Sequence, residues 1–257
     1  MNSSFQNSIN FCGIHFNTLN RESLFSNSGT LKFIVTANAS FIVNANKKDH
    51  RLHKIISNNW STFDGQVPLM VARRQYPNHK IEKISGSDLV YDFCRKAQAE
   101  DLSIFLLGAS RTSNQKAVEK LRAAYGIRIG GYSGPYQKYP FTASSENTIK
   151  DELRAFKPDI LLVGFGSPKQ EYWIEDNYEF LQELGVKFVV GSGGTTDFVA
   201  GTIKRAPKMV QKIGLEGLYR LAMQPNIARL VRLGISCQFL RYIGRSRQDM
   251  TSPVQKV

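Results

Sequence analysis

Five apolar runs punctuate this chain: LKFIVTAN (31–38), SIFLLGA (103–109), IRIGGY (127–132), DILLVGFG (159–166) and KFVVGSGG (187–194). Each is the length of a strand buried on both faces. Between them, 47–58, 86–100, 112–125, 146–156 and 168–184 repeat their apolar residues every three or four positions, as Val118, Leu121 and Tyr125 do. Doubly buried strands alternating with amphipathic helices predict an α/β fold, a Rossmann-like, mostly parallel sheet with helices on both faces. No run reaches the roughly 18 apolar residues that a membrane-spanning helix needs. The polar start MNSSFQNSIN lacks a signal-peptide pattern, so the expected location is cytoplasmic.

From Lys204 the pattern changes to helices without strands. Leu215, Leu218 and Leu221 share one face, Pro225 interrupts, and Ile227, Leu230, Leu233 and Ile235 resume among Arg229, Arg232 and Arg241. The expected division is a core over 1–203 and a basic helical appendage over 204–257. The formal charge of +13 is concentrated there, because 204–257 holds eleven Lys or Arg against Glu216 and Asp249. Such a segment favours an anionic partner. Its arginines alternate with Leu and Ile, which suits a bilayer surface better than a polar nucleic-acid-binding face. Cys12, Cys94 and Cys237 are odd in number, widely spaced and without a C-x-x-C pair, which supports neither disulfides nor zinc. His50 and His53 share a helical face with Asp49 but have no nearby third ligand, so no metal site is expected.

In open α/β sheets, ligands bind beyond the carboxyl ends of the strands, where backbone amides and helix N-termini are exposed. DILLVGFGSPKQE has that layout: Gly164 and Gly166 permit a tight turn, Pro168 suits the first helical position, and Lys169, Gln170 and Glu171 ride the first turn. GSGGTTDF repeats it with Gly191, Gly193, Gly194, Thr195, Thr196 and Asp197. Each loop alone reads equally well as an ordinary βα turn; two together suggest a nucleotide. Neither completes the dinucleotide fingerprint, since Lys169 and Thr196 stand where the third glycine belongs, which counts against an oxidoreductase. A third polar interruption is Thr36 and Asn38 within FIVTANASFIVNA. A fourth is Asp64 in TFDGQVP, which is either a turn former before Gly65 or, beside a nucleotide pocket, a carboxylate able to take a proton from a hydroxyl. The low-hydrophobicity loop 133–147 reads as a surface flap, with Tyr136 a candidate ring contact.

TAN, TFDGQVP, ISGSDLVYDFCRKAQAEDLSIFLLGAS, LLVGFGSPKQEYWIEDN and GSGGTTDFVAGTIKRAPKMVQKIGLEGLYRL occur in an order, over about residues 30–225, that resembles the WecG/TagA/CpsF family of bacterial glycosyltransferases, family 26. GSPKQE is similar to the family's G-x-P-K-Q-E, and DFVAGTIKRAP to its D-F-x-x-G-x-x-K-R-A-P. The resemblance implies inverting, metal-independent and cofactor-free transfer of a sugar from a UDP-sugar donor to a polyprenyl-diphosphate-linked acceptor, by a peripheral protein on the inner face of the cell membrane. The sugars it implies are N-acetylmannosamine, its uronic acid or a hexose such as glucose. It makes Asp64 the catalytic base with Thr36 and Asn38 beside it. Lys169, Gln170, Glu171 and Gly166 form the donor-pocket loop, Gly193 and Asp197 lie near the nucleoside, and a homo-oligomer is favoured. The sequence carries no Asp-x-Asp pair to hold a metal on the diphosphate, so Arg220, Arg229 and Arg232 of the tail are candidates to neutralise it. The chain departs from the family pattern at Phe63, where a proline is usual, and at Gln66-Val67-Pro68, positions that bear on the acceptor.

Overall fold

The computed structural model describes residues 8–26, 29–47, 49–207, 209–210, 214–223, 225 and 227–243, with the side chains of Arg220, Ala228 and Arg229 also outside the description. Six strands form one mostly parallel sheet in the order β4-β3-β8-β7-β5-β6. They are β3 (Lys32–Ala37), β4 (Trp60–Phe63), β5 (Ile104–Gly108), β6 (Ile129–Tyr132), β7 (Ile160–Gly164) and β8 (Phe188–Gly191). The Rossmann-like expectation holds, and all five apolar runs contain a strand.

The chain divides into two compact units, with the change falling inside β3. One unit comprises 1–26, 36–84 and 206–257; the other comprises 27–35 and 85–205. The tail from Ala206 therefore groups with the N-terminal segments, whereas the sequence reading set 204–257 apart.

The 85–205 unit is a parallel layer. Ile104–Gly108 pairs with Ile160–Gly164 in register, Ile104–Leu107 pairs with Ile129–Tyr132, and Ile160↔Phe188 begins the β7–β8 ladder. Around it lie α5 (Gly86–Glu100), α6 (Arg111–Tyr125), α7 (Ala143–Phe156), α8 (Lys169–Asp176), α9 (Tyr178–Glu183) and α10 (Thr195–Ala200). The helices begin where capping side chains stand: Ser110 Oγ accepts from Ser113 N and Thr142 Oγ1 from Ser145 N. Within this layer Asn114, buried on α6, donates through Nδ2 to the Leu106 and Gly108 carbonyls at 2.8 and 2.9 Å, fixing the end of β5.

The other unit opens with an antiparallel hairpin, β1 (Ile9–Phe11) and β2 (Ile14–Phe16), turned by Cys12 and Gly13 at φ 54° and 74°. After α1 (Arg21–Phe25) come α2 (Ala39–Lys47), α3 (His50–Asn58) and α4 (Gln66–Gln75). Its core is aromatic. Phe63 stacks on Phe16 at 4.2 Å between ring centroids and meets Phe11 edge-on at 5.3 Å, and Phe239, buried in a 3₁₀ turn after the helix Ile227–Cys237, lies 6.1 Å from Phe11. Asn38 caps the 39–47 helix by accepting from Ser40 N and Phe41 N, although ASFIVNA, with Phe41, Ile42 and Val43 consecutive, carries no legible helical period. His53 Nε2 lies 2.9 Å from the Gly13 carbonyl and Asp49 Oδ1 caps α3 by accepting from Leu52 N, so His53 and Asp49 serve the fold. Cys12 and Cys94 are buried, Cys237 is exposed, and none forms a disulfide; burial pushes the Cys94 thiol up to about 12.

Candidate functional site

Two loci carry the polar residues singled out above, one in each unit. In the 85–205 unit, the carboxyl ends of β5, β7 and β8 pack backbone against backbone. Ala109 N donates to the Gly164 carbonyl at 3.2 Å and Ser192 N to that of Val163 at 2.8 Å. A Cβ on Gly108 would lie 2.7 Å from the Gly164 carbonyl carbon, so this approach requires glycine.

The loops beyond β7 and β8 are joined by one side chain. Gln170 Oε1 accepts from Gly166 N and from Gly193 N, each at 3.1 Å, while its Nε2 donates to Glu171 Oε1 at 2.7 Å. Gln170 and Glu171 are both buried, and a Cβ on Gly191 would stand 2.5 Å from Gln170 Nε2. The polar run after the strand thus turns inward. Gln170 braces the two glycine loops from the buried side, and Glu171 accepts from its amide group. Pro168 follows a cis peptide bond and is the N-cap of α8, one position earlier than expected.

Lys169 points elsewhere. Its Nζ donates to the Gln137 carbonyl at 3.0 Å and lies 5.6 and 5.9 Å from the Phe141 and Phe165 ring centroids; partial burial lowers its pKa. It pins the 133–142 loop, which is further fixed by the Tyr139 hydroxyl bonded to Asp176 and by edge-on contacts Tyr139–Phe141, Phe141–Phe165 and Phe165–Trp173. Trp173 Nε1 donates to both Glu146 oxygens. Tyr136 is fully exposed. Asp197 sits half-buried in the first turn of α10; its carbonyl accepts from Thr202 N at 3.1 Å and Thr202 Oγ1 at 3.0 Å.

In the other unit, Asp64 joins the end of β4 to α4. Its amide donates to the Ala37 carbonyl at the end of β3, at 2.9 Å. Gly65 then takes φ 116°, and a Cβ there would lie 3.9 Å from Asn38 Cβ. Asn38 Oδ1 is spent as a cap, accepting from Ser40 N at 3.0 Å, Ser40 Oγ at 2.7 Å and Phe41 N at 3.3 Å. Thr36, Asn38 and Asp64 are thereby gathered where two strand ends and the N-termini of α2 and α4 meet, a setting that favours an anionic side chain. Phe63, the residue that departs from the family pattern, is wholly buried in the aromatic core beneath Asp64.

Arg232 is exposed on the helix Ile227–Cys237, and the side chains of Arg220 and Arg229 lie outside the described residues. The structure adds features that were assigned no role from sequence. Ala109, at the end of β5, takes φ 62°, a left-handed conformation costly for a residue with a Cβ, next to the two glycine loops. Arg205 pairs with Asp88 at 2.7 Å, tying KRAP to SGSD, two of the quoted motifs. Gly108, next to last in SIFLLGA, was the available signal for the first; nothing in the spacing pointed to the second.

Among the described residues no helix is long and apolar enough to cross a membrane, and no group of three His, Cys, Asp or Glu residues is arranged to hold a metal ion. The model of the glycosyl transferase WecG/TagA/CpsF family matches residues 9–250, nearly the whole chain and both loci.

Proposed function

As the chain belongs to the WecG/TagA/CpsF family of glycosyl transferases, we propose that it moves a sugar from a UDP-sugar donor to a polyprenyl-diphosphate-linked sugar, with inversion and without a metal, in the assembly of a bacterial surface polysaccharide such as a capsule or exopolysaccharide. The transferred sugar is N-acetylmannosamine, its uronic acid or a hexose such as glucose, and the protein works peripherally at the inner face of the cell membrane. The observation that carries this reading is the Gln170 brace. One buried side-chain amide accepts from Gly166 N and Gly193 N and so fixes two glycine loops against each other at adjacent strand ends, a rigid support for a diphosphate that needs no third glycine. That arrangement favours a nucleoside-diphosphate donor over a dinucleotide.

In the proposed reaction Asp64 takes the proton from the acceptor hydroxyl as its oxygen bonds to the anomeric carbon of the donor sugar. The bond from that carbon to the β-phosphate oxygen breaks on the opposite face, and UDP leaves with the electron pair. Asn38, its oxygen held by Ser40 and Phe41, and Thr36 are the polar residues at the neighbouring strand end. Basic tail residues at an anionic bilayer offset the charge on UDP.

The test is transfer from a panel of UDP-sugars to a short-chain lipid-diphosphate-sugar, in excess EDTA. Product with one of these sugars supports the proposal. Activity abolished by EDTA and restored by Mg²⁺ or Mn²⁺ would remove the metal-independent mechanism, and tighter binding of NAD than of UDP would remove the donor.

A further inference from the structure

Ten of the eleven large apolar side chains exposed among the described residues belong to the unit that carries Asp64: Val67 and Met70 on α4, and eight between Met209 and Leu240. Isolated exposed apolar residues are ordinary, but this concentration marks a contact surface. Of the eight in the tail, Leu215, Leu218, Ile227 and Leu230 belong to the apolar positions read from the sequence; the two on α4 do not. α4 begins two residues after Asp64, and Val67, Met70 and Arg74 follow one another at helical spacing on its outer face, 42% and 59% exposed for the first two. The helix carries Arg73 and Arg74 in its last turn and no acidic residue.

Both ends of α4 adjoin the tail. A Cβ on Gly214 would lie 3.3 Å from Val67 Cγ2, next to Leu215, which is itself exposed, and Gln75 Nε2 donates to the Ile243 carbonyl at 3.1 Å. We infer that the outer face of α4 and the apolar tail residues form one surface that seats on an anionic bilayer, so that the helix following Asp64 is itself a membrane contact. This rests on the lipid-linked acceptor proposed above.

Charge selects the occupant. The tail from Lys204 has eleven basic residues against two acidic, and α4 adds two more basic groups. A second copy would bring like charges face to face, since a two-fold contact presents the same patch from both sides. A layer of acidic headgroups over hydrocarbon complements both the arginines and the apolar side chains. With α4 seated, the Asp64 end of the helix is held at headgroup depth, where the diphosphate of a lipid-linked acceptor resides. The tail alone would tether the protein without fixing that depth.

The experiment uses the full chain, flotation with phosphatidylglycerol vesicles, and transfer to a water-soluble acceptor analogue. Met70→Glu and Arg74→Glu each alter an exposed side chain. Each should weaken vesicle binding by roughly tenfold with the melting temperature and soluble-acceptor transfer unchanged. The Arg74→Glu effect should fade in high salt while that of Met70→Glu persists. Unchanged vesicle binding in both folded variants would overturn the inference. So would a dimer in solution that Met70→Glu dissociates, which would assign the face to a second copy. Failure of the transferase reading would show separately, as vesicle binding sensitive to Met70→Glu in a protein that binds no UDP-sugar.

Discussion

Asp64 is anchored through its backbone, its amide donating to the Ala37 carbonyl and Gly65 beyond it taking a positive φ, and asparagine keeps the shape of its side chain. Asp64→Asn should therefore keep the melting temperature and UDP affinity while lowering kcat by a factor on the order of 10² to 10⁴, the range for loss of a general base. A single-turnover assay with saturating donor reads this directly, and a change of only a few-fold would take Asp64 out of the proton transfer. Gln170 behaves in the opposite way. Gln170→Ala leaves the Gly166 and Gly193 amides without their acceptor, so unfolding in urea should show a loss of about 1–3 kcal/mol, and calorimetry should show weaker UDP binding. Lys32, buried at the start of β3, has its pKa pushed down from 10.5 to about 8, first by burial and then by Lys96. The unfolded chain keeps that proton up to 10.5, so the cost of burying the lysine is fully present below about pH 8 and is relieved as pH rises from 8 towards 10.5. The difference in melting temperature between Lys32→Met and wild type should accordingly be largest at pH 7 and shrink by pH 10.

At the scale of elements, the 3₁₀ turn that ends the tail acts as a plug. Phe239 is buried against Phe11, which meets the Phe63 ring directly beneath the Asp64 loop. Phe239→Ala should cost about 3–5 kcal/mol, the usual range for deleting a buried phenyl ring. Phe239→Leu should recover much of it, because volume matters more there than aromaticity. Denaturant unfolding of the three proteins checks this, and a loss below about 0.5 kcal/mol for the alanine variant, the usual range for a surface substitution, would show that the turn is not seated.

For the whole molecule, the division of the chain changes what truncation should do. Removing residues after 203 deletes Phe239 and the helix Ile227–Cys237 from the unit that holds Asp64, while the 85–205 layer retains its strands and the Gln170 brace. The truncated chain should still bind UDP but should lose cooperative unfolding of its N-terminal half, seen as a second, lower-temperature transition in calorimetry. A truncated protein with one unchanged transition would restore the tail to the status of a separable appendage.

The alternation of doubly buried strands with amphipathic helices was legible because each strand needs an apolar run and each helix a polar outer face, and both are local patterns. The glycine loops, Asp64 and the family itself were legible for a similar reason, since tight turns and motif spacing are written in consecutive residues. Helix α2 escaped because it is buried on nearly every side and so has no period. The hairpin Ile9–Phe16 escaped because Cys12 occupies a left-handed turn position that Asn or Gly usually marks. Only the tertiary structure decided that Gln170 faces inward, because the two amides it binds lie 4 and 23 residues away along the chain. It alone also placed Phe239 in the same core as Phe11, since packing joins segments by shape and apolar contact without regard to their distance in sequence.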